Sequence, residues 1–119
     1  MSKDLDTIAE FYGFPLYPDA KHLCQKRVYV SGSAPGHLTW DAFVSDSSPS
    51  TIIEHFLLKL GEGGFSRESE KGTWRLPAGA ECPSRVLDIF PVGKPGPHME
   101  CNRTLPAGSR SILIYSRMP

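Results

Sequence analysis

The strongest hydrophobic pattern lies between Asp46 and Gly64, where Ile52, Ile53, Phe56, Leu57 and Leu60 recur at the three- and four-residue spacing of one helix face. Ser48 stands at the N-cap, Pro49 at the first helical position and Gly61 at the stop, which predicts a helix from Pro49 to Leu60. A shorter pattern, Leu5, Ile8, Ala9 and Tyr12, predicts a second helix from Lys3 to Tyr12. Asp4 and Asp6 complement its first-turn dipole, and Gly13 can take a left-handed stop. Pro15 and Pro18 then exclude regular structure and leave Phe14-Pro15-Leu16-Tyr17-Pro18 as a stiff extended segment.

The remaining patterned segments read as strands. His22 to Ser31 and His37 to Val44 are rich in β-branched and aromatic residues and flank the turn cluster Gly32-Ser33-Ala34-Pro35-Gly36, which predicts a hairpin. In its second strand Leu38, Trp40, Ala42 and Val44 share the core-facing side, opposed by Thr39 and Asp41. Phe65 to Ser69 and Thr73 to Leu76 flank Glu70-Lys71-Gly72 as a second hairpin. Arg85 to Phe90, a short strand from His98 to Arg103, and Ser111 to Arg117 follow. Ile112-Leu113-Ile114-Tyr115 is apolar at every position, as in a central strand covered on both faces. One helix cannot cover both, so the N-terminal helix or the Pro-rich segment is expected across the second face. The order implies an α+β fold, with a mostly antiparallel sheet of about five to seven strands. The expected core is Trp40, Ile52, Phe56, Leu60, Trp74, Leu87, Ile112 and Ile114.

At 119 residues the chain fits one domain, and 39% hydrophobic with 22% charged residues excludes collagen-like, coiled-coil and charge-driven disordered classes. Lys plus Arg and Asp plus Glu both number 13, so no net field gathers nucleic acid or anionic lipid. No apolar run is long enough to span a membrane, and the N-terminal stretch carries Asp4, Asp6 and Glu10 rather than a secretory core. Three cysteines, an odd number with no export signal, predict reduced thiols and a cytoplasmic setting. A single disulfide stays open for a chain whose leader has been removed.

Leu16-Tyr17-Pro18-Asp19-Ala20-Lys21, the hairpin after it, the helix bearing Phe56 and Leu60, and the pair Gly64-Phe65 and Gly72-Thr73-Trp74 resemble small, uncharacterised bacterial α+β domains. Those open with Tyr-Pro-Gly-Ala and carry Phe-Tyr-x-x-Leu on the helix. Here Asp19 stands in place of the Gly and Leu57 in place of the Tyr. The resemblance implies the α+β fold and no activity, cofactor or catalytic residue.

Among chemistry-bearing residues, His22-x-Cys24 and His98-x-x-Cys101 combine imidazole and thiolate. Residues two apart on a strand share a side, so four such donors could close a tetrahedral zinc-type site if the two segments were neighbours. The alternative is two buried thiols and two surface histidines. Cys82, before Pro83, reads as a spectator thiol, because only Arg85 is near enough in sequence to activate it. His55 reads as a solvated flank of its helix. Lys21, Lys26, Arg27, Arg103, Arg110 and Arg117 would cluster only if the first and last strands were adjacent, and otherwise form a solvated face. Tyr12, Phe14 and Tyr17 either present rigid rings to a partner or cover the sheet as core. No nucleophile elbow, phosphate loop or standard metal spacing is present. The expected function is therefore a non-enzymatic binding or protein-interaction module for a protein or small ligand, with a homodimer as one form. The alternatives are a His/Cys metal domain or a thiol-dependent enzyme.

Overall fold

In the computed structural model, which describes residues 2–31, 36–76 and 84–118 and the side chains of these except 2–6 and 30, the main helix forms where its caps place it. Helix α2 runs Pro49–Leu60. The Ser48 hydroxyl accepts the Thr51 N–H at 3.3 Å, and Gly61, at φ +74°, donates its N–H to the Leu57 carbonyl at 2.9 Å. Helix α1 spans Ser2–Tyr12. The strands are β1 (Lys21–Val30), β2 (Gly36–Ser45), β3 (Phe65–Glu68), β4 (Lys71–Leu76), β5 (Arg85–Pro91) and β6 (Ser111–Arg117). They form one antiparallel sheet in the order β1-β2-β6-β5-β4-β3, an α+β fold with one main and one short helix. The last strand in sequence thus lies at the centre, consistent with its unbroken apolar run.

The sheet has two cores. On one face Phe43, Trp74, Leu87, Ile89, Leu113 and Tyr115 pack under Ile52, Ile53 and Phe56 of α2 and under Tyr12, Phe14 and Tyr17. On the other, Leu23, Trp40, Ala42, Val44, Phe90, Ile112 and Ile114 pack with Val92, Cys101 and Leu105 from the connection between β5 and β6. The expectation that the N-terminal helix or Pro-rich segment would cover the second face is therefore corrected: both helices and that segment share the first. A sheet of six strands is about 24 Å wide and a helix about 10 Å across, so α2 lies mainly over β4 and β5 while α1 lies over β6.

Three further expectations change. His98 to Arg103 is not a strand: Pro97–Cys101 forms a 3-10 turn, closed by Asn102 at φ +53°. Pro97 has a fixed φ and no N–H for a ladder, and Asn tolerates the left-handed stop. The second hairpin turns at Ser69-Glu70, with Glu68 opposite Lys71, which places Gly72 inside β4. There a Cβ would come 2.8 Å from the Ile53 side chain, so glycine lets α2 settle on the sheet. Leu60 is half-buried at the rim of the core. Most of the turn cluster before Gly36, and Cys82, lie outside the described residues.

Candidate functional site

The densest polar cluster is built around Asp41, in the middle of β2 and 1% exposed. Sequence alternation sets Thr39 and Asp41 opposite a core-facing side, but α1 closes over their side too. Tyr12, at the end of α1, donates its hydroxyl to Oδ2 at 2.5 Å, Gln25 Nε2 donates to the same oxygen at 2.9 Å, and His22 Nε2 meets Oδ1 at 2.6 Å. Burial pushes the Asp41 carboxyl up, yet hydrogen bonds from His22, Tyr12 and Gln25, with the charge of His22, outweigh it and hold the group below its ordinary value. Burial, then the bond to Asp41 and its charge, push the Tyr12 phenol well above the usual range. Beside this cluster a cavity of about 240 Å³ opens between α1 and the first hairpin, lined by Ile8, Phe11, Tyr12, Arg27, Thr39 and Asp41 among others.

His22 and Cys24 do not share a side. A bulge at Leu23 shifts the register, so His22 pairs with Phe43 and turns to Asp41 on the helix face, while Cys24 pairs with Ala42 on the opposite face. There Cys24 is joined to Cys101 in a disulfide spanning 77 residues. His98 is buried on that same face against Phe90, with ring centroids 5.5 Å apart. Burial lowers its pKa, and its Nδ1 has no hydrogen-bond partner. The four expected donors, His22, Cys24, His98 and Cys101, therefore do not converge, and among the described residues no group of three or more His, Cys, Asp or Glu side chains could hold a metal. The disulfide also corrects the expectation of reduced thiols for Cys24 and Cys101.

Tyr12, Phe14 and Tyr17 are 0%, 2% and 9% exposed, so they offer no open ring to a partner. His55 is half-buried rather than solvated, edge-on to Tyr17 with centroids 5.0 Å apart. No family model, curated protein or solved structure matches the chain.

What the surface does expose lies at the free end of the first hairpin. β6 pairs with β2 only from Thr39 onward, so the pairs Val28/Leu38, Tyr29/His37 and Val30/Gly36 run past it. Tyr29 is 63% and Val28 47% exposed, and the Tyr29 ring stands edge-on to His37 at 5.7 Å. The sequence marks Val28 and Tyr29 as strand residues, and no periodicity tells a free hairpin end from a covered one. The hydrogen bonds of Asp41 have no local signature, because Tyr12, His22 and Gln25 are distant from it in sequence.

Proposed function

We propose that this chain is a non-enzymatic binding module that engages a protein partner through the free end of the β1–β2 hairpin. The observation that carries the reading is the exposure of Tyr29 and Val28 on strand pairs that no third strand supports. An exposed tyrosine gives a partner large contact area for little lost entropy, Val28 presents apolar surface on the opposite face of the same two-stranded ribbon, and exposed Lys26 and Arg27 precede them, one on each face. The Asp41 cluster supports a binding module over an enzyme: the carboxylate accepts three protein hydrogen bonds, so it is satisfied rather than poised to take a substrate proton.

The test is site-specific photo-crosslinking. A benzoylphenylalanine at Tyr29 should give a discrete protein adduct in an extract of the source cells. The same probe at Leu58, 90% exposed on α2, should give none. Equal labelling at both positions would overturn the reading.

A further inference from the structure

The two edges of the sheet differ. β3 is four residues long and carries Arg67 and Glu68, whereas β1 runs for ten residues, and its one irregularity, the bulge at Leu23, leaves Cys24 to Val30 in unbroken register with β2. Among the described residues no strand or loop pairs with the outer edge of β1, and every residue from Gln25 to Tyr29 is exposed. A long regular edge offers its outward N–H and C=O groups as a template for another strand, which natural sheets avoid with edges that are short, charged or bulged. β3 has that protection. On the regular stretch of β1 only Lys26 and Arg27 supply it.

Those two charges restrict the register rather than the pairing. When two copies of β1 pair antiparallel about a two-fold axis, the helix face of one continues into the helix face of the other, so opposed residues come from the same face and one residue meets its own counterpart. Centring the axis on Lys26 or Arg27 sets like charges opposite each other, which destabilises the pair. Centring it on Gln25 or earlier carries the pairing into the bulge, and centring it on Tyr29 shortens the overlap within β1 to Val28–Val30. Centring it on Val28 avoids all three. Val28, 47% exposed, then meets Val28 on one face, while on the other Arg27 meets the exposed Tyr29 ring, twice by symmetry. A guanidinium beside a tyrosine ring is attracted to it, Lys26 falls opposite Val30, and no two basic residues are opposed. With Lys plus Arg and Asp plus Glu both at 13, no net charge keeps two copies apart.

We propose that two copies of this chain pair antiparallel through β1, with Val28 opposite Val28 and Arg27 opposite Tyr29. This pairing rests on the hairpin end being the binding surface and names what that surface binds. A single strand pair is a small contact by the standard of stable interfaces, so the dimer is weak and depends on concentration.

Sedimentation velocity of the purified chain over a concentration series tests it. The wild type should shift from monomer toward dimer as concentration rises. Val28→Lys and Val28→Glu, both at an exposed position, should each stay monomeric because position 28 meets itself, and an equimolar mixture of the two should recover the dimer. Amide exchange of the wild type gives an independent reading: N–H groups between Gln25 and Val30 should gain protection as concentration rises, and those of β3 should not. A wild type that is monomeric up to about 1 mM, single variants that dimerise like the wild type, or a mixture that recovers nothing would overturn the proposal. If the purified chain stays monomeric and a probe at Tyr29 captures a different protein from the extract, self-pairing falls and the hairpin end stands as the binding surface. No adduct at Tyr29 with any protein, a second copy included, would remove both.

Discussion

On the helix face, α1 and α2 lay Tyr12, Ile52, Ile53 and Phe56 onto the sheet, while on the opposite face Phe90, Ile112 and Ile114 are covered by chain whose regular structure, from Val92 to Arg110, is one 3-10 turn. A helix satisfies its own backbone groups and can be held by side-chain packing alone. Irregular chain needs other anchors. Here they are the Val92 N–H to the Arg110 carbonyl at 3.0 Å, the Arg110 N–H to the Ser45 carbonyl at 2.8 Å, the Ser111 hydroxyl to the Ser47 carbonyl at 2.6 Å, and the Cys24–Cys101 disulfide. The difference teaches that apolar burial closes one face, while a covalent tie to the edge strand holds the cover of the other.

The comparison breaks most visibly at Phe56. It is fully buried between Tyr17 and Trp74, with ring centroids 6.3 and 5.8 Å away. Phe56→Ala should cost about 3–5 kcal/mol in urea unfolding. A loss below about 1 kcal/mol would show that packing under α2 does not hold the helix face. Next, Cys24→Ser combined with Cys101→Ser should cost about 2–4 kcal/mol, since the bond closes a long loop of the unfolded chain. Full stability in the double variant would remove the distinction between the faces.

Asp41→Asn should cost about 1.5–3 kcal/mol, because charge-assisted bonds from Tyr12, Gln25 and His22 are lost at a buried position. The two faces should also respond to acid in different ranges. Asp41 sits below its ordinary 3.8 when folded, so its contribution is complete above that value and lost as pH falls through the lower folded one. His98, buried and lowered from 6.5, behaves differently: stability present above pH 6.5 falls as the unfolded chain takes up the proton that the folded loop face resists. Unfolding free energy measured from pH 7 downward should therefore begin to drop near pH 6.5, and His98→Gln should flatten that first step. A flat profile down to the carboxylate range in the wild-type chain would contradict it. The smallest effect is expected at Leu58, 90% exposed on α2, where Leu58→Lys should change stability by less than about 0.5 kcal/mol.

These effects also separate what the chain shows locally from what it does not. Helix α2 is readable because Ser48, Pro49, the apolar stripe and Gly61 all act within a few residues of one another. Strands β1, β2, β5 and β6 are readable from composition and period for the same reason. The Asp41 cluster is not, since Tyr12 lies 29 residues from Asp41 and the His22 contact depends on a bulge set by pairing with β2. Nor is the disulfide, whose cysteines are 77 residues apart and meet only because the β5–β6 connection folds back over β1. The 3-10 turn at Pro97–Cys101 does have a local signal, because Pro97 has no N–H for a strand ladder.

The central claim is that the loop face depends on the Cys24–Cys101 bond while the helix face holds itself, and residue-resolved amide hydrogen exchange before and after mild reduction tests it most directly. The account predicts that reduction lowers protection in β1 and for the amides of Val92 and Arg110, while those of α2, β4 and β5 stay protected. Equal loss across α2 and the loop, or unchanged protection throughout, would contradict it.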